Sequence, residues 1–255
     1  MKSDQPVVLV TGGAKRIGKA IVKDLAAHGF AVAIHCNHSH NEGEELLTDI
    51  YAAGGTACVV QADLTDSNAV RRLVGDARDQ LGPVQLLVNN ASIFQEDGIG
   101  NLADDAVWDR HFAIHVKAPV LLADAMAAAL PAGKDGLVVN MIDHRVWKLT
   151  PKFTSYTLSK SALWTATQTL AQALAPRIRV NGIGPGPTLP SSRQDKIDFD
   201  NQVSALLLKH GPDLSEFSRT IRYLWETPSI TGQMIALDGG QHLAWETPDV
   251  TGIPE

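Results

Sequence analysis

The sequence contains little cysteine: among its 255 residues, only Cys36 and Cys58 occur. Both lie in or beside apolar, strand-like segments, a position typical of buried free thiols. Two cysteines placed in this way make a disulfide or a metal site the weaker interpretation. We therefore expect two buried thiols and no metal centre.

Basic residues do not form a block anywhere in the chain, and the formal net charge at pH 7 is −6. This charge pattern argues against a nucleic-acid partner. No apolar run approaches the roughly 20 residues that a membrane-spanning helix needs. The N-terminal stretch MKSDQPVVLV lacks the small-residue cleavage site of a signal peptide. We therefore expect a cytoplasmic protein that binds neither nucleic acid nor membrane.

What the chain does have is a regular alternation of two kinds of segment. Short apolar segments rich in β-branched residues, typical of buried parallel strands, lie at 7–12, 31–36, 56–61, 84–90, 136–141 and 177–183. Amphipathic segments typical of helices lie at 16–29, 41–53, 67–81, 104–130 and 153–175. The alternation predicts an α/β fold: a single domain over 1–255 with a Rossmann-type, doubly wound parallel sheet flanked by helices.

Two further segments complete this predicted architecture. A last short strand at 233–240 would lie at one edge of the sheet. The stretch 184–215 is the least regular part of the chain and is rich in Gly, Pro, Ser and charged residues. Because ligands bind outside the carboxyl ends of the strands in such folds, we expect residues 187–215 to form a lid over the substrate.

A glycine-rich turn, VTGGAKRIG, follows the first predicted strand and opens the first predicted helix. Gly12 and Gly13 permit a tight turn, and Gly18 lets the helix pack closely against the sheet. The N-terminus of the helix then offers free N–H groups to a phosphate. An ordinary strand–helix turn would look similar, but the position within a βαβ unit favours a dinucleotide site.

Further motifs follow this turn in a fixed order. They are NNAS at 89–92, the pair Tyr156 and Lys160, RVNGIGPG at 179–186, and TGQMIALDGG at 231–240. With the glycine-rich turn, in which Arg16 replaces the middle glycine of the usual pattern, they resemble the short-chain dehydrogenase/reductase family. The resemblance covers nearly the whole chain and implies a nicotinamide cofactor.

The predicted cofactor is NADP(H). An NAD-selective site usually ends its second strand with a carboxylate, whereas this strand ends in IHCNHSH. Lys15 and Arg16 in the neighbouring turn suit the additional 2′-phosphate of NADP, because charge-assisted hydrogen bonds to phosphate are strong. A polar loop with two solvated cations is the alternative interpretation.

The family resemblance implies the other cofactor contacts. Asn37, His38 and Ser39 are implied as contacts of the 2′-phosphate. Asp63 matches the family's adenine contact; the alternative role is a helix N-cap, for which Asp66 is the better candidate. The remaining implied cofactor residues are Gly12, Ile17, Gly18, His35, Leu64, Asn90, Ala91, Ser92, Tyr156, Lys160, Pro185, Gly186 and Thr188.

Tyr156 and Lys160 form the predicted catalytic pair. Residues four apart share a helix face, so both side chains point the same way. An ammonium one turn away favours the phenolate, so we expect the pKa of Tyr156 to fall below its usual value near 10. By resemblance, Tyr156 donates a proton during hydride transfer and Lys160 also binds the nicotinamide ribose. An incidental pair on an exposed helix is the alternative.

Two positions depart from the common family pattern. Asp143, thirteen residues before Tyr156, stands where the family usually has a serine, and His115 stands where it usually has an asparagine. His115 either takes part in a proton relay or is a packed helix histidine. A carboxyl group can hydrogen-bond a nitrogen heterocycle and act in proton delivery, so Asp143 favours a substrate with a C=N bond. The alternative is that Asp143 only organises its loop.

These departures match the pteridine reductase subgroup, which includes dihydromonapterin and dihydrofolate reductase-like members. That subgroup carries T-G-x-x-K-R-x-G, N-N-A-S-x-F, N-M-x-D and Y-T-x-x-K, and this chain has TGGAKRIG, NNASIF, NMID and YTLSK. The resemblance implies that Phe94 stacks on a pterin. The implied substrate contacts are Arg16, Ser92, Phe94, Asp143 and Tyr156, and the implied catalytic residues are Asp143, Tyr156, Lys160 and His115.

Three functions are therefore candidates. The first is an NADPH-dependent reductase of a pterin or folate, such as dihydrobiopterin, dihydromonapterin or dihydrofolate. The second is a carbonyl reductase of 3-oxoacyl thioesters or sugars. The third is a catalytically silent, nucleotide-binding regulator, which only His115 supports. The family resemblance also implies a homotetramer in which the helices at 104–130 and 153–175 pair between subunits.

Overall fold

A computed structural model describes residues 5–102, 104–190, 194–247 and 250–251. The strands are β1 (Val7–Val10), β2 (Ala31–Cys36), β3 (Thr56–Gln61), β4 (Val84–Asn89), β5 (Gly136–Met141), β6 (Ile178–Pro185) and β7 (Met234–Leu237). Adjacent strands are parallel throughout, and their order across the seven-stranded sheet is β3-β2-β1-β4-β5-β6-β7. The predicted Rossmann-type parallel sheet is confirmed.

The direction of winding changes at the centre of the sheet. β1 pairs with β2 on one side and with β4 on the other, so the chain winds outward in both directions from this point. In such sheets, the crevice at the carboxyl ends of the two central strands is where ligands bind. The residues of β1, β2 and β5 are all buried, because helices cover both faces of the sheet.

Eight α-helices flank the sheet in the described part of the chain. They are α1 (Arg16–Ala27), α2 (His40–Ala52), α3 (Ser67–Leu81), α4 (Asp105–Phe112), α5 (Ala118–Ala129), α6 (Thr154–Leu174), α7 (Lys196–Ser204) and α8 (Leu214–Glu226). Apolar side chains of α1, α2 and α8 pack on one face, and those of α3, α5 and α6 pack on the other. Four of the helices, α1, α2, α3 and α6, lie where the amphipathic segments predicted them.

The segment 104–130, predicted as one helix, is not uniform. Between α4 and α5, residues Ala113–Lys117 form a π-helix, which carries His115. π-helical turns are frequent at functional sites. The whole stretch Asp105–Ala129 is long and apolar enough to span a membrane, a test that core helices of soluble proteins also pass. In this fold its α5 part packs against α3 and β4.

Two helices were missing from the sequence prediction. α7 lies inside the segment 187–215, predicted as an irregular lid, of which residues 191–193 lie outside the described part. α8 begins with a capping box: the Asp213 side chain accepts a hydrogen bond from the first turn, and Glu216 reaches back to the backbone of Asp213. The sequence D-L-S-E carries this signal, and the helix buries Phe217 against the sheet.

The two cysteines behave as predicted. Cys36, at the end of β2, and Cys58, in β3, are both free and buried. Burial in apolar surroundings raises the pKa of the Cys58 thiol to about 12, because the charged thiolate is disfavoured there. Both residues therefore act as small apolar core residues.

Candidate active site

Two neighbouring clefts open at the carboxyl ends of the strands. The first cleft, of about 640 Å³, is lined by Gly12, Ala14, Lys15, His35, Cys36, Asn37, His38, Ser39, Asp63, Leu64, Thr65, Ala91, Ser92, Ile93, Arg110 and Ile114. The second cleft, of about 280 Å³, is lined by Arg16, Ile17, Asn90, Ser92, Phe94, Met141, Ile142, Asp143, His144, Arg145, Tyr156, Lys160, Pro185, Gly186, Pro187, Thr188, Leu189, Gln194, Phe199 and Gln202. Ser92 lines both clefts, so they adjoin.

Nearly all of the residues predicted for the site lie in these two clefts. The exceptions are Gly18 and His115, which are buried behind the lining. Apart from Arg16, the residues implied for the adenosine side line the first cleft. Apart from His115, the residues implied for proton transfer and substrate binding line the second. Arg110 and Ile114, which α4 and the π-helix contribute to the first cleft, were not predicted.

The glycine-rich turn forms a bare backbone surface between the two clefts. Gly12 has φ +62°, and a Cβ there would lie 3.0 Å from the Ala91 Cα atom. A Cβ on Gly18 would lie 2.1 Å from the Gly12 carbonyl oxygen. The Asn90 amide donates to the carbonyl oxygens of Thr11 and Gly12 at 3.0 and 3.1 Å. Glycine is therefore required at both positions, and the turn is fixed to the end of β4.

His35 fixes the same turn from the other side. Its Nδ1 accepts a hydrogen bond from the Gly12 N–H at 3.1 Å, so the proton resides on Nε2, which lies 3.1 Å from the Ala62 carbonyl oxygen. Burial lowers the pKa of His35 to about 4, and the ring is neutral at physiological pH. Both ring nitrogens are used inside the protein, so His35 positions the turn at the edge of the first cleft.

The two cations predicted to meet a 2′-phosphate lie apart. Lys15 lines the first cleft beside Asn37, His38 and Ser39. Arg16 lines the second cleft instead, where its guanidinium donates to the carbonyl oxygen of Pro190 at 3.2 Å. The geometry thus associates Lys15 with the first cleft and Arg16 with the predicted lid.

Asp66 is a helix N-cap, as the sequence predicted, whereas Asp63 lines the first cleft. Asp66 is the N-cap of α3 and accepts a hydrogen bond from the Asn68 N–H at 2.8 Å. Asp63 lines the first cleft, and its carboxylate accepts hydrogen bonds from the backbone and hydroxyl of Thr65 at 2.9 and 2.8 Å. These bonds lower the pKa of Asp63, so a fixed negative charge faces the first cleft.

Tyr156 and Lys160 point into the second cleft from α6, as their spacing predicted. The Tyr156 hydroxyl donates to Asp143 Oδ2 at 2.9 Å, and Lys160 Nζ donates to the Met141 carbonyl oxygen at 2.8 Å. Both side chains are almost fully buried. Asp143, from the loop after β5, therefore contacts Tyr156 directly.

The expected lowering of the Tyr156 pKa was wrong for this structure. Burial raises the pKa of Tyr156 well above 10, and the negative charge of Asp143 raises it further. Burial also lowers the pKa of Lys160 to about 8, because a low-dielectric interior disfavours both charged forms. The phenol is thus held protonated, with a carboxylate as its hydrogen-bond acceptor.

Asp143 is in turn held by the residues that follow it. It caps a short 3₁₀ helix, His144–Val146, and its Oδ1 accepts a hydrogen bond from the Arg145 N–H at 2.8 Å. The Arg145 guanidinium lies 3.3 Å from both carboxylate oxygens. Arg145 was not predicted as a site residue, because nothing in the pattern around it indicates an ion pair.

Phe94 lies beside this ion pair. Its ring stacks on Phe153 with a centroid distance of 4.4 Å, meets the edge of Tyr156 at 4.7 Å, and lies 5.3 Å from the Arg145 guanidinium carbon. Phe153 was also missed; it precedes α6 in a left-handed conformation, φ +60°. The second cleft therefore has an aromatic wall next to Asp143 and Tyr156.

His115 is buried next to Tyr156. Its Nε2 accepts a hydrogen bond from the Ile93 N–H at 3.2 Å, and its Nδ1 lies 2.8 Å from Ser159 Oγ. Burial, followed by the charge of Lys160, lowers the pKa of His115 well below its usual value. A neutral His115 thus joins the loop after β4 to α6, with its ring centroid 5.3 Å from that of Tyr156.

Comparison with known proteins agrees with this geometry. The sequence profile of the short chain dehydrogenase family matches residues 6–201. The chain belongs to the short-chain dehydrogenase family. The match spans strands β1 to β6, the glycine-rich turn, and Tyr156 and Lys160.

Individual members of the family differ in how similar they are to this chain. The FolM alternative dihydrofolate reductase 1 from Brucella suis, crystallised in complex with NADP, is 68% identical with a TM-score of 0.94, covering 98% of this chain and 100% of that one. A dihydromonapterin reductase from Klebsiella pneumoniae is 28% identical, covering 95% of this chain and 100% of that protein. A 3-oxoacyl-[acyl-carrier-protein] reductase from Synechocystis is 27% identical, covering 92% and 96%.

Proposed function

We propose that this protein is an NADPH-dependent oxidoreductase that reduces a pterin or a folate. The observation that carries the proposal is the hydrogen bond from Tyr156 to Asp143, beside the aromatic ring of Phe94. A protonated phenol, a carboxylate and a flat ring suit a planar nitrogen heterocycle. The likeness to a dihydrofolate reductase and a dihydromonapterin reductase supports the same substrate class.

The two clefts fit a dinucleotide. Gly12 and Gly18 allow the turn to pack closely on itself and on the end of β4, and α1 presents its N-terminus there for a pyrophosphate. The first cleft accommodates the adenosine half, with Asp63 at the adenine and Lys15, Asn37, His38 and Ser39 around a 2′-phosphate. The remaining cofactor residues are those predicted from the sequence, and NADP in the Brucella suis structure supports the choice of cofactor.

When bound, the reduced nicotinamide supplies the hydride. Tyr156 supplies the proton: its O–H bond breaks and an N–H bond forms on the substrate nitrogen. The Asp143 carboxylate accepts hydrogen bonds from N–H groups of the heterocycle and orients the ring. Arg145 offsets the charge of this partly buried carboxylate, which would otherwise be costly.

The other residues of the site support this chemistry. Lys160 is buried and lines the second cleft, and we assign it to the nicotinamide ribose. Ser92 and Arg16 complete the substrate contacts. His115 is neutral and lies behind Tyr156, so we assign it a positioning role, and its part in a proton relay stays a prediction.

We further infer that residues 187–215 form a lid over the substrate. We also infer that residues 1–255 form a single domain. Thr188, Leu189, Gln194, Phe199 and Gln202 from this segment line the second cleft. The hydrogen bond from Arg16 to Pro190 connects the lid to the glycine-rich turn. Both assignments are proposals.

Reduction of a carbonyl is the second candidate function, and the likeness to a 3-oxoacyl-[acyl-carrier-protein] reductase favours it. The charged Asp143 stands against it, because a serine hydroxyl is enough to polarise a carbonyl oxygen. The intact Tyr156 and Lys160 pair argues against a silent regulator.

A substrate panel tests these alternatives. Initial rates would be measured with NADPH and NADH against dihydrobiopterin, dihydromonapterin, dihydrofolate and a 3-oxoacyl thioester. We expect turnover with at least one of the pterin or folate substrates, and a kcat/KM for NADPH more than about tenfold above that for NADH, the size of one charge-assisted hydrogen bond. Turnover of the thioester alone would contradict the proposed substrate class.

We also propose that the protein forms a homotetramer and works in the cytoplasm. The apolar helix Asp105–Ala129 is only partly buried within the chain, as expected for a helix that packs against another subunit. Light scattering of the purified protein would give the assembly mass directly.

A further inference from the structure

An ion pair lies at the mouth of the first cleft. Lys15 Nζ is 2.6 Å from Glu42 Oε1, and both side chains are about half exposed. Lys15 lines the cleft with Asn37, His38 and Ser39, whereas Glu42 is on α2. The cation assigned to the 2′-phosphate therefore already has an anionic partner within the chain.

The position of Glu42 is set by its helix. It lies in the first turn of α2, where the positive end of the helix dipole stabilises a carboxylate. Hydrogen bonds from Lys15 and from its own backbone N–H lower the pKa of Glu42, so the side chain is charged at neutral pH. An ammonium and a helix N-terminal N–H are also the groups that bind phosphate.

We propose that Glu42 is a specificity-determining residue that limits the preference for NADP(H) by competing with the 2′-phosphate for Lys15. This inference rests on the cofactor site proposed above. A phosphate monoester carries about −1.5 to −2 charges at neutral pH, so it must share Lys15 with Glu42 and is repelled by the carboxylate. NADH has no 2′-phosphate and does not meet this competition.

Glu42 differs in position from the carboxylate that usually selects NAD over NADP. In an NAD-selective site, the carboxylate ends the second strand and faces the ribose. Here β2 is followed by Asn37 and His38, and the carboxylate comes from the next helix. Glu42 thus acts through Lys15 and weakens the binding of one cofactor without forming a contact to the other.

The test is a comparison of dissociation constants. NADPH and NADH would be titrated into the full-length protein and into Glu42→Gln, with binding followed by nucleotide fluorescence. We expect the Kd for NADPH to fall about fivefold, the upper range for an exposed ion pair, and the Kd for NADH to change less than about twofold. Weaker binding of NADPH by Glu42→Gln would overturn the proposal, because Glu42 would then be positioning Lys15 for the phosphate.

The chain offers a matched control. Lys23 on α1 and Asp49 on α2 form an ion pair of 2.8 Å that is equally exposed and lies outside both clefts. Asp49→Asn removes the same charge from the same helix. It should leave the ratio of the two dissociation constants unchanged; an equal gain in NADPH affinity would show a general charge effect and overturn the proposal.

A second pair of variants tests the dependence on Lys15. We expect Lys15→Ala to bind NADPH more weakly than the parent. The double variant Lys15→Ala with Glu42→Gln should recover only a small part of this affinity, because no Lys15 remains to compete for. If Glu42→Gln gives the same gain with and without Lys15, competition for Lys15 is excluded.

The parent protein separates failure of this inference from failure of the proposed function. If the parent binds NADPH no better than NADH, the proposed cofactor choice fails; a gain for NADPH alone in Glu42→Gln would still support the competition. If the parent prefers NADPH and Glu42→Gln leaves both constants unchanged, only this inference fails.

Discussion

At the scale of single residues, the site is organised around one carboxylate. Asp143 accepts hydrogen bonds from the Tyr156 hydroxyl and from Arg145. With a serine in its place, the phenol would face a neutral hydroxyl. The carboxylate instead raises the pKa of Tyr156, so the hydroxyl keeps its proton in this structure. The substitution at this one position is therefore the strongest link between the structure and a nitrogen-containing substrate.

The variant Asp143→Ser tests that link. We expect pterin reduction to fall by about 10²-fold or more, the typical scale for lost acid–base catalysis, because the ring is no longer oriented towards the Tyr156 proton. Any carbonyl reduction should survive or increase, because serine can still polarise an oxygen atom. Steady-state rates on a pterin and on a 3-oxoacyl thioester would be measured side by side.

A purely structural defect would lower both activities together, so opposite changes identify a chemical role. Phe94→Ala is the companion variant. Loss of stacking should weaken pterin binding by about 0.5–1.5 kcal/mol, and the lost burial should weaken it further, so that KM for the pterin rises. NADPH affinity should change little. Pterin reduction by Asp143→Ser at the parental rate would remove the chemical role assigned to the carboxylate.

Tyr156→Phe removes the proton donor and keeps the ring. The phenyl ring still packs against Phe94, so the fold and NADPH binding should persist while turnover falls by about 10²–10⁴-fold. Rates under saturating NADPH, together with the Kd for NADPH, would separate the two effects. Retention of near-normal turnover would exclude Tyr156 as the proton donor.

At the scale of elements, helix α6, which carries Tyr156 and Lys160, is fixed at its start. The buried Asp97 carboxylate accepts hydrogen bonds from the Ser155 N–H at 3.2 and 3.1 Å. The π-helix supplies His115, which reaches α6 through Ser159. Tyr156 therefore lies between two anchored points, which hold its hydroxyl next to Asp143.

Helix caps make a separate prediction at this scale. Asp213→Ala removes the cap of α8, and we expect the free energy of unfolding to fall by about 1 kcal/mol with kcat unchanged. Asp195→Ala removes an equivalent cap on α7, whose hydrogen bond to the Asp198 N–H is 2.8 Å. Because α7 has no buried residues and α8 buries Phe217 and Ile221, Asp195→Ala should have a smaller effect in urea unfolding. Equal losses would contradict this account.

At the scale of the whole molecule, His35 connects β2, β3 and the glycine-rich turn. The pKa of His35 in the folded chain is about 4, below the value of about 6.5 expected when unfolded. The unfolded chain therefore binds the proton first, so the stability contributed by neutral His35 is present above pH 6.5 and is lost as the pH falls towards 4. Protonation of Nδ1 would also break its bond with the Gly12 N–H.

Urea unfolding at pH 7 and pH 5 checks this prediction. We expect His35 to account for a loss of up to about 2 kcal/mol over that range, because one pKa unit corresponds to about 1.4 kcal/mol. His35→Asn should show a smaller loss between the two pH values than the parent. His28→Asn, at an exposed position after α1, is the control and should follow the parent. A parental pH dependence in His35→Asn would rule out His35 as its source.

The sequence by itself determined the layout of the sheet and the membership of the site. Continuous β-branched apolar segments and amphipathic segments with a period of 3.6 residues are local properties of the sequence. The motifs placed Gly12, Asn90, Tyr156 and Lys160 in one crevice, because the carboxyl ends of parallel strands meet at one edge. The free cysteines also followed from their surroundings in the sequence.

Only the tertiary structure decided how the charged groups pair. Lys15 with Glu42, Arg145 with Asp143, and Arg16 with the lid join residues whose separation in the sequence carries no signal. The pKa of Tyr156 was predicted in the wrong direction for the same reason. Burial and the distance to Asp143 exceed the effect of Lys160 one turn away, and both depend on the packed interior, where an unpaired charge is disfavoured.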